Sequence, residues 1–159
     1  MHIRRGKLSD LDELARLEAL GFPKEEAASK ERIAARLAAF PELYFILEND
    51  GEIISYINGL MTDEKDLQDE MYENPTMHNP SGKNLMIFSV VTNPEFQHKG
   101  NASFLMEHVI AECRKTKTSL VLTCKEHLVS FYGKFGYKDE GISASEHGGA
   151  VWHQMRYTI

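Results

Sequence analysis

The stretch Leu85-Met86-Ile87-Phe88-Ser89-Val90-Val91-Thr92-Asn93-Pro94-Glu95-Phe96-Gln97-His98-Lys99-Gly100-Asn101-Ala102-Ser103-Phe104 decides how this chain is read. It opens with an apolar, partly β-branched run, the pattern of a buried strand. Asn93-Pro94 ends that strand, because proline has no N–H to give a ladder. Gln97 to Ala102 form a short loop that contains Gly100. From Ala102 the apolar residues recur at helical spacing, at Leu105, Met106, Val109, Ile110 and Cys113. A strand, a glycine loop and a helix start, in that order, make a natural anion site. The first N–H groups of the helix lack partners and its dipole is positive at that end. A phosphate-bearing ligand is the expectation. The loop has neither the Gly-Lys-Ser/Thr of a Walker loop nor the Gly-x-Gly-x-x-Gly of a dinucleotide fingerprint.

Gln97-His98-Lys99-Gly100-Asn101-Ala102 fits instead the Gln/Arg-x-x-Gly-x-Gly/Ala signature and so resembles the GCN5-related N-acetyltransferase superfamily. Downstream, Leu128-Val129-Ser130-Phe131-Tyr132-Gly133-Lys134-Phe135-Gly136-Tyr137 is similar to that superfamily's second signature, a short helix with Phe-Tyr followed by Phe-Gly-Tyr. The apolar strand Ser119 to Cys124 lies between the two. More narrowly, the chain resembles the arylalkylamine (serotonin) N-acetyltransferases. The resemblance rests on Phe40-Pro41-Glu42-Leu43, the hairpin Phe45 to Leu60, the acidic insertion Thr62 to Asn84, and Cys124 to Tyr132.

The resemblance implies a single domain over residues 1–159 with a three-layer α/β/α fold. Its sheet would be mixed and largely antiparallel, with helices on both faces. It implies acetyl-CoA as cosubstrate, its pyrophosphate held by backbone N–H groups around Gln97, His98, Lys99, Gly100, Asn101, Ala102 and Ser103. Val90, Val91 and Thr92 would offer main-chain groups to the pantetheine arm, on a strand that bulges away from its neighbour. Tyr132 matches the tyrosine that lies near the CoA sulfur and acts as general acid; a phenol stays protonated at neutral pH and can donate to a thiolate. The arylalkylamine enzymes carry two histidines, two residues apart, on the strand before the loop. Counting back from Gly100 places Met86 and Phe88 there, and neither takes a proton. Glu70, Glu73 and His78 on the insertion, His127, and His147 in the loop Ser143 to Ala150 are the alternative proton acceptors. Glu70, Glu73, Met86 and Phe88 are the candidate acceptor-binding residues.

Composition sets the outer bounds. The chain has 159 residues, 42% of them hydrophobic, 26% charged, and a formal net charge of −6. That is ordinary for one soluble globular domain and argues against nucleic acid as a partner, which would need a basic face. No apolar run approaches the roughly 20 residues that span a bilayer. The N-terminus shows no apolar signal segment, so a cytoplasmic location is expected. Cys113 and Cys124 read as buried thiols rather than a disulfide framework, and no metal-ligand spacing is seen.

Along the chain, the pattern predicts a strand at His2 to Arg5 and a helix capped by Ser9 and running to Leu20. A second helix follows from Lys24 to Ala39, then a hairpin around Asp50-Gly51. The insertion carries a short helix near Glu64 to Tyr72, and its acidic residues read either as solvated or as a lid that favours an ammonium group. Helices at 101–114 and 127–134 and strands at 85–92, 119–124, 137–143 and 150–158 complete the reading. The last strand, Val151 to Thr158, is a candidate for pairing across a homodimer. The expected function is acetyl-CoA-dependent N-acetylation of a small primary amine, by direct attack in a ternary complex. The rivals are a protein or peptide N-acetyltransferase and a non-catalytic acyl-CoA-binding module.

Overall fold

A computed structural model describes residues 1–159. Seven strands form one mixed sheet in the order β1-β2-β3-β4-β5-β7-β6. They are β1 (His2–Arg5), β2 (Tyr44–Asn49), β3 (Glu52–Thr62), β4 (Asn84–Thr92), β5 (Ser119–Cys124), β6 (Lys138–Ile142) and β7 (His153–Tyr157). The α-helices are α1 (Leu11–Gly21), α2 (Lys30–Ala39), α3 (Asp69–Glu73), α4 (Asn101–Lys115) and α5 (Val129–Gly133). The β1–β2, β2–β3, β5–β7 and β6–β7 pairs are antiparallel and β4–β5 is parallel, so the sheet is mixed and largely antiparallel as predicted. No helix is long and apolar enough to cross a membrane. The chain resolves into two compact units, Met1–Gly59 with Ser89–Val109, and Leu60–Phe88 with Ile110–Ile159.

In the first unit, Leu14 and Leu17 of α1 and Ile33 and Leu37 of α2 sit at helical spacing on one stripe each. They pack with Tyr44, Ile46, Ile53, Tyr56 and Val91 into one buried cluster. Helix α1 starts at Leu11 rather than being capped by Ser9. Asp10, just before it, accepts from the two terminal guanidinium nitrogens of Arg4 at 2.8 and 2.9 Å and from the Lys7 amide at 3.0 Å. Helix α2 is shorter than its composition predicts. Residues 24–27 make turns onto the Pro23 carbonyl, the Ala28 amide is captured by Glu18, and Ser29 caps the helix by accepting from the Arg32 amide.

In the second unit, Leu85, Met86 and Ile87 of β4, Leu120 to Leu122 of β5 and Met155 of β7 are all buried. The parallel ladder runs from Asn84↔Ser119 to Ile87↔Leu122, and β5 continues by pairing Thr123 and Cys124 with β7. β7 is hydrogen-bonded to β5 on one side and β6 on the other. That corrects the expectation of pairing across a dimer through this strand, because it has no open edge.

The insertion 62–84 is fixed at many points. The Asn79 amide donates to the Met61 carbonyl, the Met61 amide to His78 Nδ1, the Lys83 amide to Asp63, and the Asn84 side chain to the Glu64 carbonyl. A Cβ on Gly82 would lie 2.5 Å from the Thr62 nitrogen, so only glycine allows this return onto β3. Arg156 and Gln154 of β7 hold residues 65–67, which keeps 64–68 out of the helix predicted near Glu64 to Tyr72 and confines α3 to Asp69–Glu73.

Candidate active site

The first unit carries the phosphate-loop candidates. Asn93 ends β4 by turning both its amide and its side chain back to β3, onto the Ile54 and Ile53 carbonyls. Its side-chain oxygen then accepts from the Glu95 amide and caps a 3-10 turn at Pro94–Phe96. Gln97 leaves that turn extended, and the chain reverses through two left-handed residues, His98 (φ 62°) and Gly100 (φ 78°). Gly100 is needed for its backbone angle alone, since a Cβ there would meet nothing within 4 Å. The Asn101 side chain donates to the Phe96 carbonyl at 3.1 Å and ties the two ends of the loop together. The first i→i−4 bond of α4 is Phe104 to Gly100, so the amides of Asn101, Ala102 and Ser103 precede the helical ladder. Gln97, His98, Lys99 and Gly100 are exposed, with the Lys99 ammonium 5.8 Å over the Phe96 ring. The donors offered are backbone N–H groups and a lysine, at the positive end of a 15-residue helix, which suits a diphosphate.

Upstream, Val91 is buried, and its carbonyl accepts from Ser55 Oγ at 2.6 Å. Val90 and Thr92 are partly exposed, and Thr92 Oγ1 lies 3.2 Å from Ser55 Oγ. The same unit holds a group that sequence reading missed. Glu18 is almost wholly buried, and its carboxylate accepts from Tyr56 OH at 2.7 Å, the Ala28 amide at 2.9 Å and Ser89 Oγ at 3.4 Å. Burial first, and then Glu18, push the Tyr56 phenol well above the ordinary tyrosine range. The signal available was position: Glu18 follows Leu14 by four residues and shares its apolar stripe.

The second unit carries Tyr132, Glu70, Glu73, Met86 and Phe88. Tyr132 on α5 is buried between Phe131 and Tyr137, with ring centroids at 5.0 and 5.8 Å in edge-on geometry. Burial pushes its phenol well above the ordinary value, and Cys124 adds to the effect. Burial and Asp139 push the Cys124 thiol up to about 11, so it stays a thiol at neutral pH and is a poor nucleophile. Met86 is fully buried in β4 opposite Val121. Phe88, the first β4 residue past the β5 ladder, is partly exposed and packs on Tyr72 at 4.9 Å. Glu70 and Glu73 are exposed on α3, whereas Asp63, Asp66 and Asp69 are engaged in holding the insertion.

Tyr72 bridges the place where β4 and β5 part: its ring lies on Phe88 and its hydroxyl is 3.3 Å from Thr123 Oγ1. The His147 ring stacks on Tyr72 at 4.5 Å and 25°, and Trp152 donates from its indole N–H to the His147 carbonyl at 2.8 Å. Asp69 anchors the loop that carries His147, accepting from Ser145 Oγ and the Glu146 amide.

The profile of the "Acetyltransferase (GNAT) family" matches residues 10–137. "Serotonin N-acetyltransferase" of Mesocricetus auratus is 25% identical over 125 residues, covering 77% of this chain and 59% of that protein. "Probable hydrolase YhcX" of Bacillus subtilis (strain 168) is 31% identical over 124 residues, covering 72% of this chain and 23% of that protein. The chain thus spans about three fifths of the first relative and under a quarter of the second. Among solved structures, the loading GNATL domain of CurA from Lyngbya majuscula superposes with a TM-score of 0.84 at 21% identity, covering 99% of this chain and 96% of that one. The GphF GNAT-like decarboxylase in complex with isobutyryl-CoA gives 0.83 at 19% identity, covering 99% of both chains. At those identities the likeness establishes the fold.

Proposed function

The chain belongs to the acetyltransferase (GNAT) family of acyl-transferring enzymes, and from that premise we propose that residues 1–159 act as one acetyl-CoA-dependent N-acetyltransferase domain whose acceptor is a small primary amine. The observation that carries the reading is the turn from β4 into α4, with left-handed backbone at His98 and Gly100 and a free first helical turn at Asn101, Ala102 and Ser103. In this reading those amides, with Gln97, His98 and Lys99 at the rim, hold the CoA pyrophosphate. Val90, Val91 and Thr92 line the pantetheine arm. The serotonin N-acetyltransferase relative and the isobutyryl-CoA bound by the GphF neighbour support an acyl-CoA donor and an amine acceptor.

The chemistry needs an acid for the departing sulfur. Tyr132 stays protonated at neutral pH and gives its proton as the C–S bond breaks and the thiolate forms. Its raised phenol makes the tyrosinate short-lived, since it retakes a proton readily. The Cys124 thiol is held protonated, which favours direct attack by the amine over an acyl-cysteine route. A small acceptor is favoured over a peptide by the pinned insertion, which builds a fixed segment with Glu70, Glu73 and Phe88 on it or beside it.

A non-catalytic acyl-CoA-binding role is the second reading, and Met86 and Phe88 favour it because β4 carries no titratable group at those positions. Acetyl-CoA-dependent thiol release over tryptamine, phenylethylamine, spermidine, a lysine peptide and a peptide with a free N-terminus separates the readings. Turnover of a small amine supports the first. Turnover confined to a peptide shifts the acceptor class. Acetyl-CoA binding with no turnover on any of them supports the second.

A further inference from the structure

An ammonium must lose a proton before its nitrogen can attack, and the family reading leaves that proton without a named destination. We propose that His147 takes the proton of the acceptor ammonium, its imidazole presented by Tyr72 at the point where β4 and β5 separate. The assignment rests on the transferase reading above and adds the residue that reading lacks.

Three segments build the setting of this imidazole: β4, the insertion, and the β6–β7 connection that carries both His147 and Trp152. Phe88 comes from β4, immediately after the last β4–β5 pair. Tyr72 comes from the insertion, with its ring 4.9 Å from Phe88 and its hydroxyl on Thr123 at the end of β5. His147 comes from the β6–β7 loop and stacks on Tyr72 at 4.5 Å. Trp152 precedes β7, its ring 6.0 Å from that of His147 and its N–H on the His147 carbonyl. The loop is fixed again by Asp69, which accepts from Ser145 and Glu146 on the N-terminal side of His147. A loop residue held from both sides with its ring stacked is pre-organised, which a surface histidine is not.

The other six histidines have different settings. His2 faces Glu48 on the β1–β2 hairpin. His78 accepts from the Met61 amide and closes the insertion. His98 belongs to the left-handed loop turn and His108 to the middle of α4. His127 is exposed in the turn before α5, and His153 is bonded to Asp139. His147 alone is stacked against the ring that spans the β4–β5 split. It is also partly exposed, so a proton taken up there can pass to solvent.

The steps balance. R–NH3+ gives one proton to the neutral imidazole and becomes R–NH2. The nitrogen lone pair forms the N–C bond at the thioester carbonyl. The C–S bond breaks, and sulfur takes the Tyr132 proton to give CoA-SH. The second nitrogen proton returns to the tyrosinate through water, and the imidazolium releases its proton to solvent. One acetamide, one thiol and one net proton result.

The test is steady-state thiol release with acetyl-CoA and the amine panel, on wild type, His147→Ala and His147→Phe, with acetyl-CoA binding measured for each. His147→Phe keeps a ring on Tyr72 and leaves the backbone bond to Trp152 in place, so it separates proton transfer from packing. The expected result is a loss of kcat of about 100-fold in both variants. Acetyl-CoA affinity is unchanged, and millimolar imidazole restores His147→Ala but not His147→Phe, whose ring fills the space. Wild-type turnover with His147→Phe within threefold of it overturns the assignment and leaves the transferase reading standing. Loss in His147→Ala without imidazole rescue reduces His147 to a packing role. No wild-type turnover on any amine overturns the transferase reading and this role with it.

Discussion

Gln154 of β7 holds Leu67 across 87 residues of sequence: its side-chain oxygen accepts from the Leu67 amide at 3.1 Å, while its side-chain nitrogen donates to Asp66 and Glu140, each at 2.9 Å. Arg156, two residues on, reaches the Lys65 carbonyl at 2.8 Å. An acidic segment that composition alone would leave in solvent is thereby part of the folded unit. Gln154→Ala removes three hydrogen bonds at one point. Amide exchange over residues 62–84 then accelerates, with about 1–3 kcal/mol of stability lost. Unchanged exchange in that segment would mean that Arg156 and Asp69 hold it without Gln154.

The left-handed turn of the phosphate loop gives an opposed pair of substitutions. Gly100→Ala meets no steric obstacle but forces a Cβ onto φ 78°, costing about 1 kcal/mol. The loop relaxes away from its shape, and acetyl-CoA binding by calorimetry weakens at least severalfold while the melting temperature falls by only a few degrees. His98→Gly removes strain at φ 62° and raises stability by about the same amount. Stability unchanged in both would show that this backbone shape carries no strain.

Glu18 gives a stability prediction. Glu18→Ala leaves the buried Tyr56 hydroxyl and the Ala28 amide without their acceptor. The cost is about 3 kcal/mol in denaturant unfolding. Glu18→Gln keeps one acceptor oxygen and loses less. Equal stability of wild type and Glu18→Ala would mean that water replaces the carboxylate.

The Arg4–Asp10–Glu48 group sets an acid limit. Burial pushes the Asp10 carboxyl up, but the hydrogen bonds from Arg4 and the Lys7 amide, with their charges, bring it below the ordinary carboxylate value. The Arg4 hydrogen bond likewise holds Glu48 down. Both are depressed in the folded state, so their contribution is complete above the unfolded carboxylate value of about 4 and is lost as pH falls through the lower folded values. Thermal stability therefore drops below about pH 4, and Asp10→Asn flattens that drop. An acid slope identical in wild type and Asp10→Asn would remove Asp10 from the account.

Much of this architecture was legible in the residues. β5 begins and ends at Ser119 and Cys124 as its apolar run predicts, and the change from strand to glycine loop to helix at Leu85–Phe104 is where the structure has it. These elements are dictated by local pattern and by residues with one backbone role, such as Pro94 and Gly100. The misread boundaries depend on distant partners. Helix α2 starts only after Ser29 because Glu18 takes the Ala28 amide, and α3 shrinks because β7 holds residues 65–67. The Tyr72–His147 stack joins residues 75 positions apart, and periodicity carries no trace of such a pairing. The Phe-Tyr signature marked Tyr132, and its burial among Phe131 and Tyr137 came only with the fold.

The most direct test of the account compares wild type with Tyr132→Phe in acetyl-CoA-dependent thiol release, using the best amine of the panel and measuring acetyl-CoA affinity for both proteins. The account predicts a fall in kcat of about 100-fold with acetyl-CoA affinity unchanged, because the substitution removes a single proton donor from a ring whose packing it preserves. Equal turnover in the two proteins would contradict it.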